Sequence, residues 1–395
     1  MEPIHQTYLL AADGTGRQIV SVHVKLTYRL SPAGKCEPAD PEPFLNLGRQ
    51  PAPAEGAEPE AEFPESDIIP HKLATDLIVI ASAHAPGGKP VRRMTAGIDC
   101  GEFRRRFLVQ GDRRCGYRAD GQIAFSDAEP FDSMPLRYER AYGGCDPTVP
   151  VPPPRSLLDA LLPHPGIYPR NPSGRGYAVA DRPAHVDGLA LPNVENPRDA
   201  LTPARLLAGN PESWWRQPLP WSCDWFDPTW YPRSVHLGGV PELLPEDDSQ
   251  VEEVRLGYVA GDQKARLRAA AVSDLFDPRY ADAASPGMVL PFFYGNEQVR
   301  LLGMTPSAPE LVVQLPGQMP RMQLRHAGKT HDLEPVPNRI LISVEEMGAY
   351  IVWHGAWVPP KRLPGRMRAD LVPDPGADLR GIEVLVDGKQ IAPLG

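Results

Sequence analysis

From Val20 to Leu30 apolar and polar residues alternate without a break. Val20, Val22, Val24, Leu26, Tyr28 and Leu30 share one parity, and Ser21, His23, Lys25, Thr27 and Arg29 the other. Successive side chains of a strand point to opposite faces, so this period of two predicts a half-buried strand whose polar face meets water. Just upstream, QTYLLAADGTGRQIV sets Asp13-Gly14 between two β-prone runs, where glycine takes the positive φ of a tight turn. The chain is therefore predicted to open with a β-hairpin. Residues 37–66 then break the pattern with seven prolines and dense Glu, a composition that predicts a long surface loop.

Strand signals return at Asp76 to Ala83, at Phe103 to Gln110, and at Gln122 to Phe125 after an Asp120-Gly121 turn. LIVIA (77–81) is apolar at both parities, which predicts a central strand buried on both faces. Between Cys145 and Arg233 there are 18 prolines and two short helix candidates, SLLDALL (156–162) and TPARLLAG (202–209). The second is well punctuated, with Thr202 to cap, Pro203 in the first turn and Gly209 past the end. Beyond residue 250 the strand signal resumes in VEEVRLGYV, KARLRAAAV, LVVQL, NRILISVEE and AYIVWHGAW. IEVLVDGKQIA then predicts a second Asp-Gly hairpin, and no internal period marks a propeller or solenoid. The expected architecture is mainly β, two antiparallel halves of sandwich or open-barrel type at 1–150 and 251–395, joined by an irregular Pro/Trp-rich segment at 151–250.

Composition sharpens this picture in a few places. Pro and Gly together fill 84 of 395 positions (49 and 35), which predicts a folded chain with long irregular connections and few helices. The formal charge of −9 opposes a phosphate backbone, so nucleic acid is not an expected partner. Charge is segregated: residues 36–67 hold nine acids against Arg49 alone, and residues 89–118 hold nine Lys or Arg against three acids. Two solvated faces that attract one another is the simple reading, and a docking surface the other. Cys36, Cys100, Cys115, Cys145 and Cys223 are odd in number and contain no CxxC pair, which fits neither a zinc ribbon nor a disulfide framework. With no apolar run near 18 residues and no basic-then-apolar N-terminus, neither a membrane span nor a secretory signal is expected, and the cytoplasm is the expected compartment.

Five of the seven tryptophans, Trp214, Trp215, Trp221, Trp225 and Trp230, lie within 17 residues and are followed by Tyr231. Large aromatics can anchor an irregular segment on a β core, or form a flat platform for a partner peptide or a sugar. His71, Lys72, Asp76, Asp112 and Arg113 can be cast as an acid, base and cation cluster. No GxSxG elbow, HExxH pair or phosphate-cradling glycine loop accompanies them. Ion pairs that pin loops to a sheet, through Asp76, Asp112, Arg113 and Arg140, are the plainer expectation. Gly143-Gly144 and the Gly174/Gly176 pair are positions where the backbone needs positive φ or close approach. His326, His331 and His354 have no Cys or carboxylate at ligand spacing, so neither a metal nor a cofactor is expected.

The order of FDSMPLRYERAYGG (131–144), SDIIPHKLATDLIVIASAHAPGG (66–88), GDRR (111–114), NPSGRGY (171–177) and LPNVE (191–195) resembles a bacterial family of unknown-function domains. YGNEQVRLLG and VVQLPG near 294–317 add weaker matches. The family is the effector adaptor, or chaperone, type of the type VI secretion system, encoded beside the VgrG spike, PAAR-type tips and toxic effectors. The resemblance marks His71, Lys72, Asp76, Asp112, Arg113, Arg140, Gly143, Gly144, Asn171, Gly174, Asn193 and Glu195 as motif residues. It implies a non-enzymatic factor that binds an effector, or its PAAR-linked region, and helps load it onto VgrG. Trp214, Trp215, Trp225, Trp230 and Tyr231 are the candidate contacts for that partner, with the basic 89–118 stretch as an electrostatic second choice. A carbohydrate-active hydrolase or lyase on a β-sandwich is the alternative, and would require two carboxylates facing one another across a cleft.

Overall fold

The alternating stretch extends as a 13-residue strand, Gln18–Leu30, in a computed structural model that describes residues 6–12, 17–39, 45, 66–69, 72, 74–151, 165–228, 230, 231, 233, 278–291, 293–361, 363, 379 and 381–393. Its polar parity does not face water. Ser21 and His23 are fully buried and Lys25 nearly so, although Val20, Val22 and Val24 on the opposite face are buried as well. The strand lies inside its sheet, with Gln6–Ala12 on one side and Gly348–Trp357 on the other, and both of its faces are covered.

That first sheet continues from Gly348–Trp357 to Val336–Ser343, Thr75–Ile80 and Val289–Leu290, with Cys36–Pro38 beside the end of Gln18–Leu30. Its pairings are antiparallel except between Thr75–Ile80 and Val336–Ser343, which run parallel. The second sheet orders Val194–Glu195, Phe103–Gln110, Arg93–Cys100, Gln298–Leu302 and Glu310–Gln314. The third orders Lys329–Leu333, Met322–His326, Ile382–Val386 and Lys389–Ile391. The protein is thus mainly β, built of several antiparallel sheets, with no closed barrel among the described residues. The expected halves at 1–150 and 251–395 describe order along the chain only. In space they share sheets: strands of the two stretches interleave in the first sheet and lie side by side in the second.

The core follows from parity. Val22, Val24, Trp353, Ile351, Ile340 and Leu77 share one face of the first sheet through the strand register. They join a single cluster with Ile98, Phe107 and Leu301 of the second sheet and Leu324 and Val384 of the third. Burial of one such side chain stabilises the fold by about 1.5–3 kcal/mol, so this shared layer dominates its stability. Leu77, Ile78 and Val79 are fully buried, as a strand apolar at both parities requires. The closing hairpin turns at Asp387 (φ 50°) and Gly388 (φ 80°), both left-handed as a two-residue primed turn demands.

Two local expectations meet the structure differently. TPARLLAG forms no α-helix. Pro203–Arg205 makes one 3₁₀ turn without a side-chain cap from Thr202. Ala208 then donates to the Ala178 carbonyl at 2.9 Å, so an extended bridge takes the backbone that a helix would need. The Asp13-Gly14 turn, SLLDALL, VEEVRLGYV, KARLRAAAV and most of 37–66 lie outside the described residues.

Candidate functional site

The register of the first sheet sets Lys25, Val352, Arg339 and Asp76 side by side on four neighbouring strands, and residues in register share a face. The result is a buried row of charge opposite the apolar core. Lys25 Nζ is 2.8 Å from Asp67 Oδ2, Arg339 Nη1 is 3.2 Å from Asp67 Oδ1, and Arg339 Nε is 3.7 Å from Asp76 Oδ2. Lys72 Nζ continues it, at 3.1 Å from Asp76 Oδ1 and 2.7 Å from Asp282 Oδ1. Three cations therefore alternate with three anions. An unpaired buried charge costs several kcal/mol, and this alternation removes that cost from each member.

Asp76 also accepts the backbone N–H of Ala283 and of Ala284, at 3.1 and 3.2 Å. Both carboxylate oxygens are engaged by donors, which is the geometry of a staple holding 281–284 to the sheet. Burial, opposed by Lys72, raises the pKa of Asp282. Farther along the same face Ser21 Oγ lies 2.8 Å from His23 Nε2 and 2.9 Å from His354 Nε2. The hydroxyl has one proton to give, so it donates to one imidazole and accepts from the other. Sequence reasoning missed Ser21, His23, Lys25, Asp67, Arg339 and His354 as a set. The available signal was that NRILIS and AYIVWHG each carry a cation or histidine inside an otherwise apolar strand.

The motif residues divide between this row and a second network. Lys72 and Asp76 belong to the row, whereas Asp112 and Arg113 do not. His71 lies outside the described residues. Arg113 Nη2 donates to Glu195 Oε2 at 2.7 Å and to the Pro192 carbonyl at 2.7 Å, and Glu195 Oε1 accepts the Leu201 N–H at 2.7 Å. Asn193 Nδ2 donates to Asp112 Oδ1 at 2.9 Å and to the Gln110 carbonyl at 3.1 Å. Its Oδ1 accepts from Arg140 and Arg175 at 3.4 and 3.2 Å. Asp112 is 59% exposed and Arg140 about a third, so this end of the network reaches the surface.

Asn171 performs the same service, donating through Nδ2 to the carbonyls of Tyr138 and Tyr142 at 2.8 and 3.1 Å. Gly143, Gly144 and Gly174 let the backbone come this close. A Cβ on Gly143 would stand 2.1 Å from the Asn171 carbonyl oxygen, and one on Gly174 2.4 Å from Asn171 Nδ2. Four of the motif stretches thus meet in one set of locked loops. Their polar side chains satisfy buried backbone groups that no ladder supplies.

The aromatics expected to meet a partner do not form one platform. Trp214 is buried in a second core cluster, with its ring 5.2 Å from Tyr231 and 6.3 Å from Tyr168. Trp230 stacks edge-on with Tyr138 and Phe226 in another cluster, and Trp225 packs beside the main core under Arg339. Each anchors a different piece of the irregular segment, whose described residues have only two-residue strands to hold them. Of the five, Trp215 alone is open to solvent, at 53%.

The basic stretch is not one solvated face either. Arg105 is buried, and Arg104 and Arg106 pair with Asp99 of the same stretch. His326 and His331 both lie against Trp357, away from His354 in the buried row. Among the described residues no group of three or more His, Cys, Asp or Glu side chains could hold a metal ion.

The weaker motifs near 294–317 make a structure of their own. Both Glu297 carboxylate oxygens accept backbone N–H groups, from Tyr294 at 2.6 Å and Gly295 at 2.9 Å. Gly317 N–H donates to the Gly295 carbonyl at 2.6 Å, joining YGNE to LPG beyond the Gln298–Leu302 and Glu310–Gln314 hairpin. Gly295 (φ 79°) rests on the Trp353 ring, where a Cβ would come within 2.9 Å. On this fixed base stands Tyr294, 75% exposed; Met319, two residues past Gly317, is 50% exposed. Tyr294 is the most exposed large hydrophobic side chain among the described residues. No helix among those residues is long and apolar enough to cross a membrane.

Residues 15–354 match the family model described as an uncharacterized protein conserved in bacteria, DUF2169, so the chain belongs to that family. No curated protein and no solved structure matches the chain.

Proposed function

We propose that this member of the DUF2169 family is an adaptor that binds a type VI secretion effector, or its PAAR-linked region, in the cytoplasm and helps present it to the VgrG spike. The motif resemblance supplies the biological setting, and one feature of the chain carries the binding role. Tyr294 is held outward by a turn whose backbone donors bond Glu297 and whose glycine rests on Trp353, and Met319 is exposed two residues beyond Gly317. Exposed aromatic and methionine side chains on a rigid base suit a partner's apolar segment. They lose little conformational freedom on contact and bury large area. The charged motif residues serve the scaffold in this reading, by locking the loops.

Co-expression with the proteins encoded beside it tests both levels. A neighbour retained by the wild-type chain and lost by Tyr294→Ser with Met319→Ser, at unchanged melting temperature, supports adaptor and contact site together. Retention by the double variant removes the contact site and leaves the adaptor role. Failure of every neighbouring effector, PAAR protein and VgrG to bind the wild-type chain removes the role itself.

A further inference from the structure

Arg105, on the Phe103–Gln110 strand, is 3% exposed and has no carboxylate partner among the described residues. Its Nη1 donates to the Pro286 carbonyl at 2.9 Å, and its guanidinium carbon lies 3.8 Å from the centre of the Trp221 ring. Nε and Nη2 have no acceptor among the described residues. These two donors lie on the same edge of the planar guanidinium, so their N–H bonds run side by side. That edge is the fork that receives both oxygens of a carboxylate. Trp221 and Phe107 offer aromatic faces, which neutralise a buried cation incompletely. Burial lowers the Arg105 pKa to about 10, which still leaves it charged at neutral pH. A buried cation with a free fork is a demand for an anion.

The cover over this side chain is thin. Ser285 to Met288 form a tight turn, with Met288 N–H on the Ser285 carbonyl at 2.7 Å and Gly287 at φ 84°. Pro286 and Gly287 at its tip are exposed, and a Cβ on Gly287 would meet only Arg105 Nη1, at 3.6 Å. This exposed turn covers the guanidinium at Nη1.

We propose that Arg105 is a binding site for one carboxylate group, held bidentate on Nε–H and Nη2–H, the guanidinium edge that the Trp221 ring and the Ser285–Met288 turn leave unused. The inference is independent of the adaptor role. Formate, the smallest carboxylate, is the probe. At constant ionic strength, replacing sulfate by formate raises the wild-type melting temperature along a saturating curve. Arg105→Met, which keeps the bulk and loses the fork, gives no saturating rise. A crystal grown in formate shows planar density about 2.7–3.0 Å from both nitrogens. Identical formate curves for the two proteins, or a water or protein oxygen on the fork, overturn the proposal. Bromide occupying the fork where formate does not overturns the carboxylate assignment. Should Arg105→Met fail to fold, Arg105→Lys, which keeps the charge without the fork, takes its place and the crystal decides.

Discussion

The guanidinium of Arg339 lies 4.8 Å from the ring centre of Trp225, so the indole roofs a fully buried cation in the first sheet. A tryptophan that the sequence offers as a partner contact is therefore part of the support for the charged row. Replacing it removes aromatic area and a cation–π contact together. Trp225→Ala is expected to cost about 3 kcal/mol, and Trp225→Phe about 1 kcal/mol because a ring remains. Urea unfolding midpoints check both. A normal midpoint in Trp225→Ala accompanied by lost partner binding would restore the platform reading.

Asp76 joins two cations and two backbone donors, so its removal strands Lys72 and Arg339 at once. Asp76→Ala is expected to destabilise by about 3–5 kcal/mol, the range for breaking one member of a buried ion pair. Lys72→Met alone leaves Asp76 its contacts with Arg339 and the two N–H groups, and should cost less. In the double variant the stranded ammonium is gone. Its total should fall short of the sum of the single losses by 1 kcal/mol or more on the order-of-magnitude scale of coupled neighbours. Additive losses would show that the pair is not energetically coupled.

What could be read from the sequence was local, and what could not was who covers whom. Phe103–Gln110 forms a strand at the boundaries its residues announce, and the Asp387-Gly388 turn forms because its two residues tolerate positive φ. Parity correctly sorted Val20, Val22 and Val24 from Ser21, His23 and Lys25. It carries no information about a second layer, so the polar side was assigned to water. The parallel pairing of Thr75–Ile80 with Val336–Ser343 joins strands more than 250 residues apart in the chain, which no local pattern encodes. The motif residues were recognisable as a set. Their division into a buried row through Asp76 and a loop lock through Asn171, Asn193 and Glu195 needed the register.

Gly143 tests the loop lock without altering charge. Its φ of 151° is one that L side chains rarely adopt, and close approach adds to that constraint: an added methyl would meet the Asn171 carbonyl oxygen at 2.1 Å. Gly143→Ala is expected to destabilise by roughly 2 kcal/mol or more, as overpacking against rigid backbone does. Amide hydrogen exchange should quicken first at Gly144 and Tyr177, whose N–H groups bond Asn171 and Gly143 carbonyls at 2.9 Å. Exchange rising evenly across all three sheets would mean the lock is not a local unit.

The histidine pair gives the fold a pH limit with a definite sign. His23 is fully buried, and burial, with the neighbouring His354 in second place, holds its pKa well below the ordinary value. Above about pH 6.5 the residue is neutral in both folded and unfolded chains and contributes no pH dependence. Below that value the unfolded chain takes up a proton that the folded chain refuses. Stability therefore falls as pH drops from about 6.5 toward the lowered folded pKa, at up to about 1.4 kcal/mol per pH unit for this one group. Nδ1 of His23 has no partner, which favours the tautomer protonated on Nε2, donating to Ser21 Oγ. In His23→Gln the side-chain amide can make that same donation without titrating, so urea midpoints measured between pH 7 and pH 5 should lose this part of their slope. An unchanged slope would assign the acid sensitivity to other groups and leave the pair a purely structural contact.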